Sequence, residues 1–331
     1  MTESEMPEAA LDVVGIGNAI VDIIDNTDDA FLEAHGMTKG SMALIDEARA
    51  EAIYSAMGPA IELSGGSAGN TIAGLASLGS RCGYIGKVRD DQLGGVFRHD
   101  ITAAGVAFPT PAATSGPATA RCLILVTPDG QRTMNTFLGA CVNLGPEDLD
   151  EAMIASARYT YLEGYLFDPP HAQEAFRRAA KIAHAAGRKV ALTLSDSFCV
   201  ERHRDAFLDL LESVDLLFAN EAEITALFQT DFDGAVRAVR GRTALAAITR
   251  SEQGSVVVAG SEVIAAPAAP VARLVDTTGA GDLYAAGFLY GLTTAQALDD
   301  CARLGHLAAA EIISHYGGRP ETPLSEYVSR A

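Results

Sequence analysis

What most limits the folds open to this chain is an alternation that becomes regular after residue 150. An amphipathic helical pattern over 172–186 ends at Gly187, a natural helix stop, and an apolar strand pattern follows at 189–195. Helix 203–212, strand 215–219, helical segments over 221–240 and strand 243–249 continue it. Two more strand patterns, 254–259 and 262–266, read as a hairpin, and a last long helix is expected over 294–315. Parallel strands need a crossover between them, and helices are the usual crossover. The pattern therefore predicts an α/β fold with a mostly parallel central sheet covered by helices on both faces.

The first half breaks that rhythm. Residues 12–24 read as one buried strand with a polar end at Asp22, and 38–46 hold a short strand. Residues 121–127 and 132–138 flank Pro128-Asp129-Gly130 as a hairpin, behind a Pro- and Ala-rich connector at 109–118. Ser64-Gly65-Gly66-Ser67-Ala68-Gly69-Asn70 opens a helix over 71–78. The extra strands suit a small β lid over one edge of the main sheet. The expected division assigns 12–24, 64–115 and 145–331 to a large α/β domain, 25–63 and 116–144 to the lid, and 1–11 to a disordered tail. No internal repeat is visible.

Composition narrows the partners. A formal charge of −19 excludes a nucleic-acid surface, which needs a basic face, so any anionic ligand must be held by a local donor cluster. The cysteines at 82, 122, 141, 199 and 301 form no CxxC pair and read as reduced, buried thiols rather than a zinc site. No apolar run is long enough to span a membrane, and the acidic start lacks the basic residues of a signal peptide. These features predict a soluble, cytoplasmic protein, and a monomer or homodimer is expected.

The chemistry concentrates in Asp276-Thr277-Thr278-Gly279-Ala280-Gly281-Asp282, which leads into a helix of small apolar residues. Two glycines around one alanine let backbone N–H groups point outward at a helix N-terminus, where unpaired donors and the dipole favour an anion. The dipole predicts an ionised Asp282, useful beside a phosphate cradle as a base for a substrate hydroxyl. A lone Gly-x-Gly-Asp would fit an N-cap acid on a core helix equally well. Other polar residues fall at or just past strand ends, where open α/β sheets bind ligands: Asp22, Ser195, Asn220 and Thr249. Glu223 lies in the first turn after Asn220, placed either to cap its helix or to orient waters on a magnesium ion. Arg132 on the lid hairpin could close over a phosphate or stay solvated. His306 reads as structural, at the edge of a nucleotide pocket. Gly15-x-Gly17 lacks the third glycine of a dinucleotide fingerprint, since position 20 is Ile, and no P-loop occurs.

The 276–282 string resembles the signature of the ribokinase (PfkB) family of sugar and nucleoside kinases, with the closer similarity to adenosine kinases. The likeness runs from about 12 to 320. Gly17-Asn18-Ala19-Ile20-Val21-Asp22 is similar to the motif that reaches a nucleoside ribose, and Gly65, Gly66 and Asn70 to the sugar-binding loop. Glu163-Gly164-Tyr165, Leu194-Ser195-Asp196-Ser197-Phe198, Leu217 to Glu223 and Arg303 to Ala309 also look like adenosine kinase stretches. The resemblance implies phosphorylation of the adenosine 5′-hydroxyl by ATP with Mg2+, and leaves room for a monovalent cation such as K+. Asp282 is then the base, the turn of Gly279, Ala280 and Gly281 the anion hole, and Glu223 the metal-side group acting through water. Asn18, Asp22 and Asn70 would hold the ribose, and Ile20, Met134, Leu138 and Tyr165 would form an apolar slot for the base. Asn220, Thr249, Gly254, Thr277, Gly279, Gly281 and His306 would line the ATP side.

The sequence departs from the family pattern at two places. Leu166 stands where the adenine-stacking aromatic is expected, which leaves stacking to Tyr165 or to none. Ser251 replaces a glycine of the nucleotide loop. A sugar kinase of the same fold, acting on a ribose- or fructose-like substrate, is the alternative reading. A catalytically idle binder would have no use for Asp282.

Overall fold

The computed structural model describes residues 9–271 and 273–330. Its larger sheet has eight strands. Six run parallel, in the spatial order β5 (Cys82–Ile85), β1 (Leu11–Ile16), β8 (Ala157–Glu163), β9 (Lys189–Thr193), β10 (Leu216–Asn220) and β11 (Leu245–Thr249). The hairpin of β12 (Ser255–Ala259) and β13 (Glu262–Ala266) extends that edge antiparallel to β11. Buried side chains fall into two large clusters. One contains Val13, Tyr84, Tyr161, Phe218 and Phe288, the other Val14, Leu162, Phe176, Leu192 and Phe207. Alternate residues of one strand point to opposite faces, so neighbours such as Val13 and Val14 feed different cores, and helices cover both.

The smaller sheet has five strands in the order β3 (Met42–Leu44), β7 (Arg132–Phe137), β6 (Ala120–Val126), β2 (Ile20–Asn26) and β4 (Ile61–Gly65). Its register sets Leu44, Thr136, Cys122, Asp22 and Leu63 in one row across a single face. The next row is Met42, Met134, Ile124, Ile24 and Ile61. Those two rows are apolar except at Asp22 and Thr136, and the row beyond them brings Arg132, Val126 and Asn26 to the same face.

Two readings are corrected. The single strand expected over 12–24 is two strands, β1 and β2, which break at Gly17-Asn18-Ala19 and belong to different sheets, so Asp22 sits on the small sheet. The tail expected over 1–11 is corrected at its inner end, where Ala9 is buried and Leu11 opens β1, while residues 1–8 lie outside the described residues. The hairpin at 121–138, the β9–β11 alternation and the β12–β13 hairpin occur as expected. The five cysteines are buried and free. No helix among the described residues is long and apolar enough to cross a membrane.

Candidate active site

A cavity of about 1220 Å³ opens between the apolar face of the small sheet and the carboxyl ends of β8–β11. Asp282 stands at its floor, in the first turn of the helix Ala280–Thr293. Gly279 caps that helix at φ 76°, a left-handed conformation that needs glycine. Ala280 N–H is tied to Thr277 C=O at 3.2 Å. The N–H groups of Gly279, Gly281 and Asp282 have no partner among the described residues, and their residues line the cavity. A cradle of free donors therefore faces the opening, with one expected member, the Ala280 amide, engaged in the turn.

Asp282 is held on both oxygens. Ser67 Oγ donates to Oδ1 at 2.7 Å and Asn70 Nδ2 to Oδ2 at 3.0 Å. Burial pushes its carboxyl up, against the lowering effect of those two donors and of the Arg319 charge. Desolvation by the surrounding elements thus outweighs the two hydrogen bonds and the Arg319 charge. An elevated carboxyl suits a base, which works best with a pKa nearer the operating pH.

Asp22 is half-buried on β2, opens onto the cavity and receives no hydrogen bond from the protein among the described residues. Burial pushes its carboxyl up to about 6, opposed by the charges of Arg132 and Arg319. Gly65 pairs with Ile20 on the neighbouring β4, and a Cβ there would fall 2.3 Å from Asp22 Oδ2, so glycine makes room for the carboxylate. Asn18 and Asn70 are both engaged with acids. Asn18 Nδ2 donates to Glu163 Oε1 at 2.8 Å, and the Asn70 amide is on Asp282 with its own Oδ1 unpartnered. Glu163 also accepts from Ala68 N–H at 2.8 Å, and burial lifts its carboxyl to about 7.

Apolar side chains form the other wall: Ile20, Met134, Leu138 and Ile124, with Tyr165 and Phe198 across from the sheet. Tyr165 is 40% and Phe198 69% exposed, whereas Leu166 is 1% exposed and packs into the core. An aromatic surface is present without Leu166.

On the far side, Asn220, Thr249, Gly254, Thr277 and His306 line the same cavity. Ser251 also lines it and takes φ 50°, the conformation for which glycine is better suited. His306 bonds Ser255 Oγ at 2.9 Å, and burial lowers its pKa to about 4, so it is neutral at pH 7. Glu223 and Asn220 form a capping box: Glu223 N–H donates to Asn220 Oδ1 at 2.9 Å and Asn220 N–H to Glu223 Oε2 at 2.9 Å. Glu223 nevertheless lines the cavity, and burial lifts it to about 7. One such carboxylate with waters and phosphate oxygens matches what Mg2+ prefers. Among the described residues no cluster of three or more His, Cys, Asp or Glu could hold a metal by itself.

Gly65 and Arg132 do not line the cavity. Arg132 is not solvated, since its side chain is 9% exposed. Its Nη1 donates to Asp276 Oδ2 and to Thr278 Oγ1, tying β7 to the start of the turn. Sequence reasoning missed Ser67, Glu163, Phe198 and Arg319. Only Glu163, a lone acid closing an apolar strand, carried a readable signal.

Comparison with known proteins decides the family. The profile described as pfkB family carbohydrate kinase matches residues 61–324. The chain belongs to that family. An adenosine kinase from Sinorhizobium meliloti has the same ribokinase-like fold, with a TM-score of 0.91 and 55% identity over 97% of this chain and 99% of the other. A probable sugar kinase from Rhizobium etli aligns with a TM-score of 0.91 and 52% identity, covering 97% of this chain and 98% of that one. An ATP-dependent ribose-1-phosphate kinase of Halopiger xanaduensis is 33% identical over 68% of this chain and 72% of its own. The chain is thus a phosphotransferase of that family.

Proposed function

We propose that this kinase transfers the γ-phosphoryl group of ATP to the 5′-hydroxyl of a nucleoside, adenosine foremost. The observation that carries this reading is the pairing of an apolar, aromatic-bearing slot with an unpartnered carboxylate at its base. Met134, Leu138 and Ile20 facing Tyr165 and Phe198 suit a flat base. Asp22, free of protein donors, suits the hydroxyls of the attached ribose. A bare sugar would leave the apolar walls uncovered.

With the ribose held there, Asp282 accepts the proton of the 5′-hydroxyl as it attacks. Ser67 and Asn70 keep the carboxylate aimed. The free N–H groups of Gly279, Gly281 and Asp282 receive charge developing on the transferred group. Mg2+ arriving with the nucleotide would be held through water by Glu223 beside Asn220, and neutralises phosphate charge when bound. Arg132 serves by fixing Asp276 and Thr278, and the small sheet acts as a lid that excludes water.

The relatives named sugar kinase and ribose-1-phosphate kinase favour a second reading, a sugar or sugar-phosphate acceptor. Initial rates with ATP and adenosine, guanosine, inosine, ribose, ribose 1-phosphate or fructose separate the two. Turnover of adenosine well above every sugar supports the nucleoside reading, and turnover of a sugar but of no nucleoside overturns it.

A further inference from the structure

The segment Gly317-Gly318-Arg319 carries no recognised motif, yet it touches each part of the site that must stay in register. Gly317 N–H donates to Asp276 Oδ2 at 3.2 Å, at the start of the phosphate-side turn. A Cβ on Gly279 would lie 3.2 Å from Gly318 Cα, so the segment also backs the helix cap. A Cβ on Gly318 would lie 2.4 Å from Asn70 Nδ2, the group that holds Asp282. Arg319 then uses all three guanidinium nitrogens on one loop. Nε donates to Ser64 C=O at 2.8 Å, Nη2 to Ser64 Oγ at 3.1 Å, and Nη1 to Gly69 C=O. Ser64 and Gly69 bracket the glycine turn and the helix start that present Ser67 and Asn70.

Every acceptor in that fork is neutral, and no ion pair to Arg319 occurs among the described residues. A half-buried cation without a paired anion loses hydration for no ionic return, and a neutral residue could pack there more cheaply. Its field falls on the cavity carboxylates instead. We propose that Arg319 is a positioning residue for phosphoryl transfer. Its fork fixes the Ser64–Asn70 loop, and hence the two donors on Asp282, while its unpaired charge is the counter-charge for Asp282 and shares that role with Arg132 for Asp22. This inference rests on the kinase reading of the site.

The titratable groups facing Asp282 come from every wall: Asp22 on β2, Tyr161 and Glu163 on β8, Tyr165 after it, Glu223 beyond β10, and Arg319. Arg319 alone among these is a cation, so its loss leaves the Asp282 anion supported by the Ser67 and Asn70 hydrogen bonds alone against the surrounding acids.

The test compares Arg319→Gln, Arg319→Lys and Gly318→Ala in the full chain. Arg319→Gln is expected to lower kcat about 10- to 100-fold. It also moves the acid limb of kcat/KM to higher pH by on the order of one unit, because the base then ionises later. Arg319→Lys keeps the acid limb but lowers kcat, since one ammonium cannot serve three acceptors in a planar fork. Gly318→Ala displaces Asn70 and lowers kcat with the acid limb near its original place. A carboxyl-carbon NMR titration, assigned with Asp282→Asn, reads the Asp282 midpoint without turnover and should move up in Arg319→Gln. Should Arg319→Gln not fold, the other two variants decide. Normal kcat in Gly318→Ala and Arg319→Lys overturns the proposal. So does an unmoved limb and midpoint in folded Arg319→Gln. If the unaltered chain phosphorylates no nucleoside or sugar, the kinase reading fails alone, and the NMR midpoint still judges Arg319.

Discussion

Removing Arg132 should loosen the turn before it harms anything else. The Arg132 and Asp276 side chains are 9% and 5% exposed, so their ion pair is a buried one, and its loss strands a carboxylate. Deleting one partner of such a pair costs on the order of 3–5 kcal/mol. Asp276 keeps Thr278 N–H at 3.0 Å and Gly317 N–H at 3.2 Å, which reduces the expected loss for Arg132→Met to about 2–3 kcal/mol. An unfolding entropy of about 2.1 cal/mol/K per residue implies about 0.7 kcal/mol/K for 331 residues. The thermal midpoint should thus fall by about 3–4 °C. Burial raises the Asp276 carboxyl, but Arg132 and the two N–H groups outweigh it and hold the group below its ordinary value of 3.8. The contribution of the pair is therefore present above about pH 4 and lost as pH falls through the lowered pKa, and Arg132→Met should lack that acid slope. A double-mutant cycle with Asp276→Asn should give a coupling of about 1–3 kcal/mol. The assay is thermal unfolding of the four proteins alongside kcat, which should drop about 10- to 100-fold as the donor cradle loses its anchor. A coupling near zero, with kcat unchanged, would refute the assignment of Arg132 as the tie between small sheet and turn.

Other substitutions probe the remaining parts. Asp282→Asn keeps the shape of the side chain, so ligand affinity should stay within a few fold while kcat falls about 10²- to 10⁴-fold, read by steady-state kinetics and equilibrium binding. An unchanged kcat removes Asp282 from the mechanism. Asp22, raised to about 6, must be ionised to accept ribose hydroxyls, so KM for the acceptor should climb as pH drops below about 6. In stability the sign is opposite: the raised group favours the fold below its unfolded pKa and loses that contribution as pH rises through about 6, and Asp22→Asn should abolish both trends. Ser251→Gly relieves a φ of 50° and should stabilise by about 0.5–1 kcal/mol in calorimetry, and a lower thermal midpoint would contradict the strain.

Much of the fold was legible because periodicity carries it. From β9 to β13 the alternation of apolar strands with amphipathic helices left little choice of architecture. The break between β1 and β2 was not read, since Gly17-Asn18 is a short turn signal inside an apolar run and only pairing in two sheets separates its halves. In the site, residues inside one glycine-rich string or at a strand end could be read directly, as with Asp282 and Asn220. Partners far apart in sequence could not: Ser67 with Asp282, Asn18 with Glu163, and Arg319 with Ser64 meet only through the tertiary fold. The raised Asp282 carboxyl was missed for a related reason. Helix position is local and visible, whereas desolvation by other elements is not.

The central claim is a statement about where one hydroxyl lies. A crystal structure of the kinase with adenosine and a non-hydrolysable ATP analogue tests it most directly. The account predicts the base between Met134 and Tyr165, the ribose diol on Asp22, and the 5′-oxygen within hydrogen-bonding distance of Asp282 and facing the γ-phosphate. A nucleoside bound elsewhere, or seated with another hydroxyl toward Asp282, would contradict it.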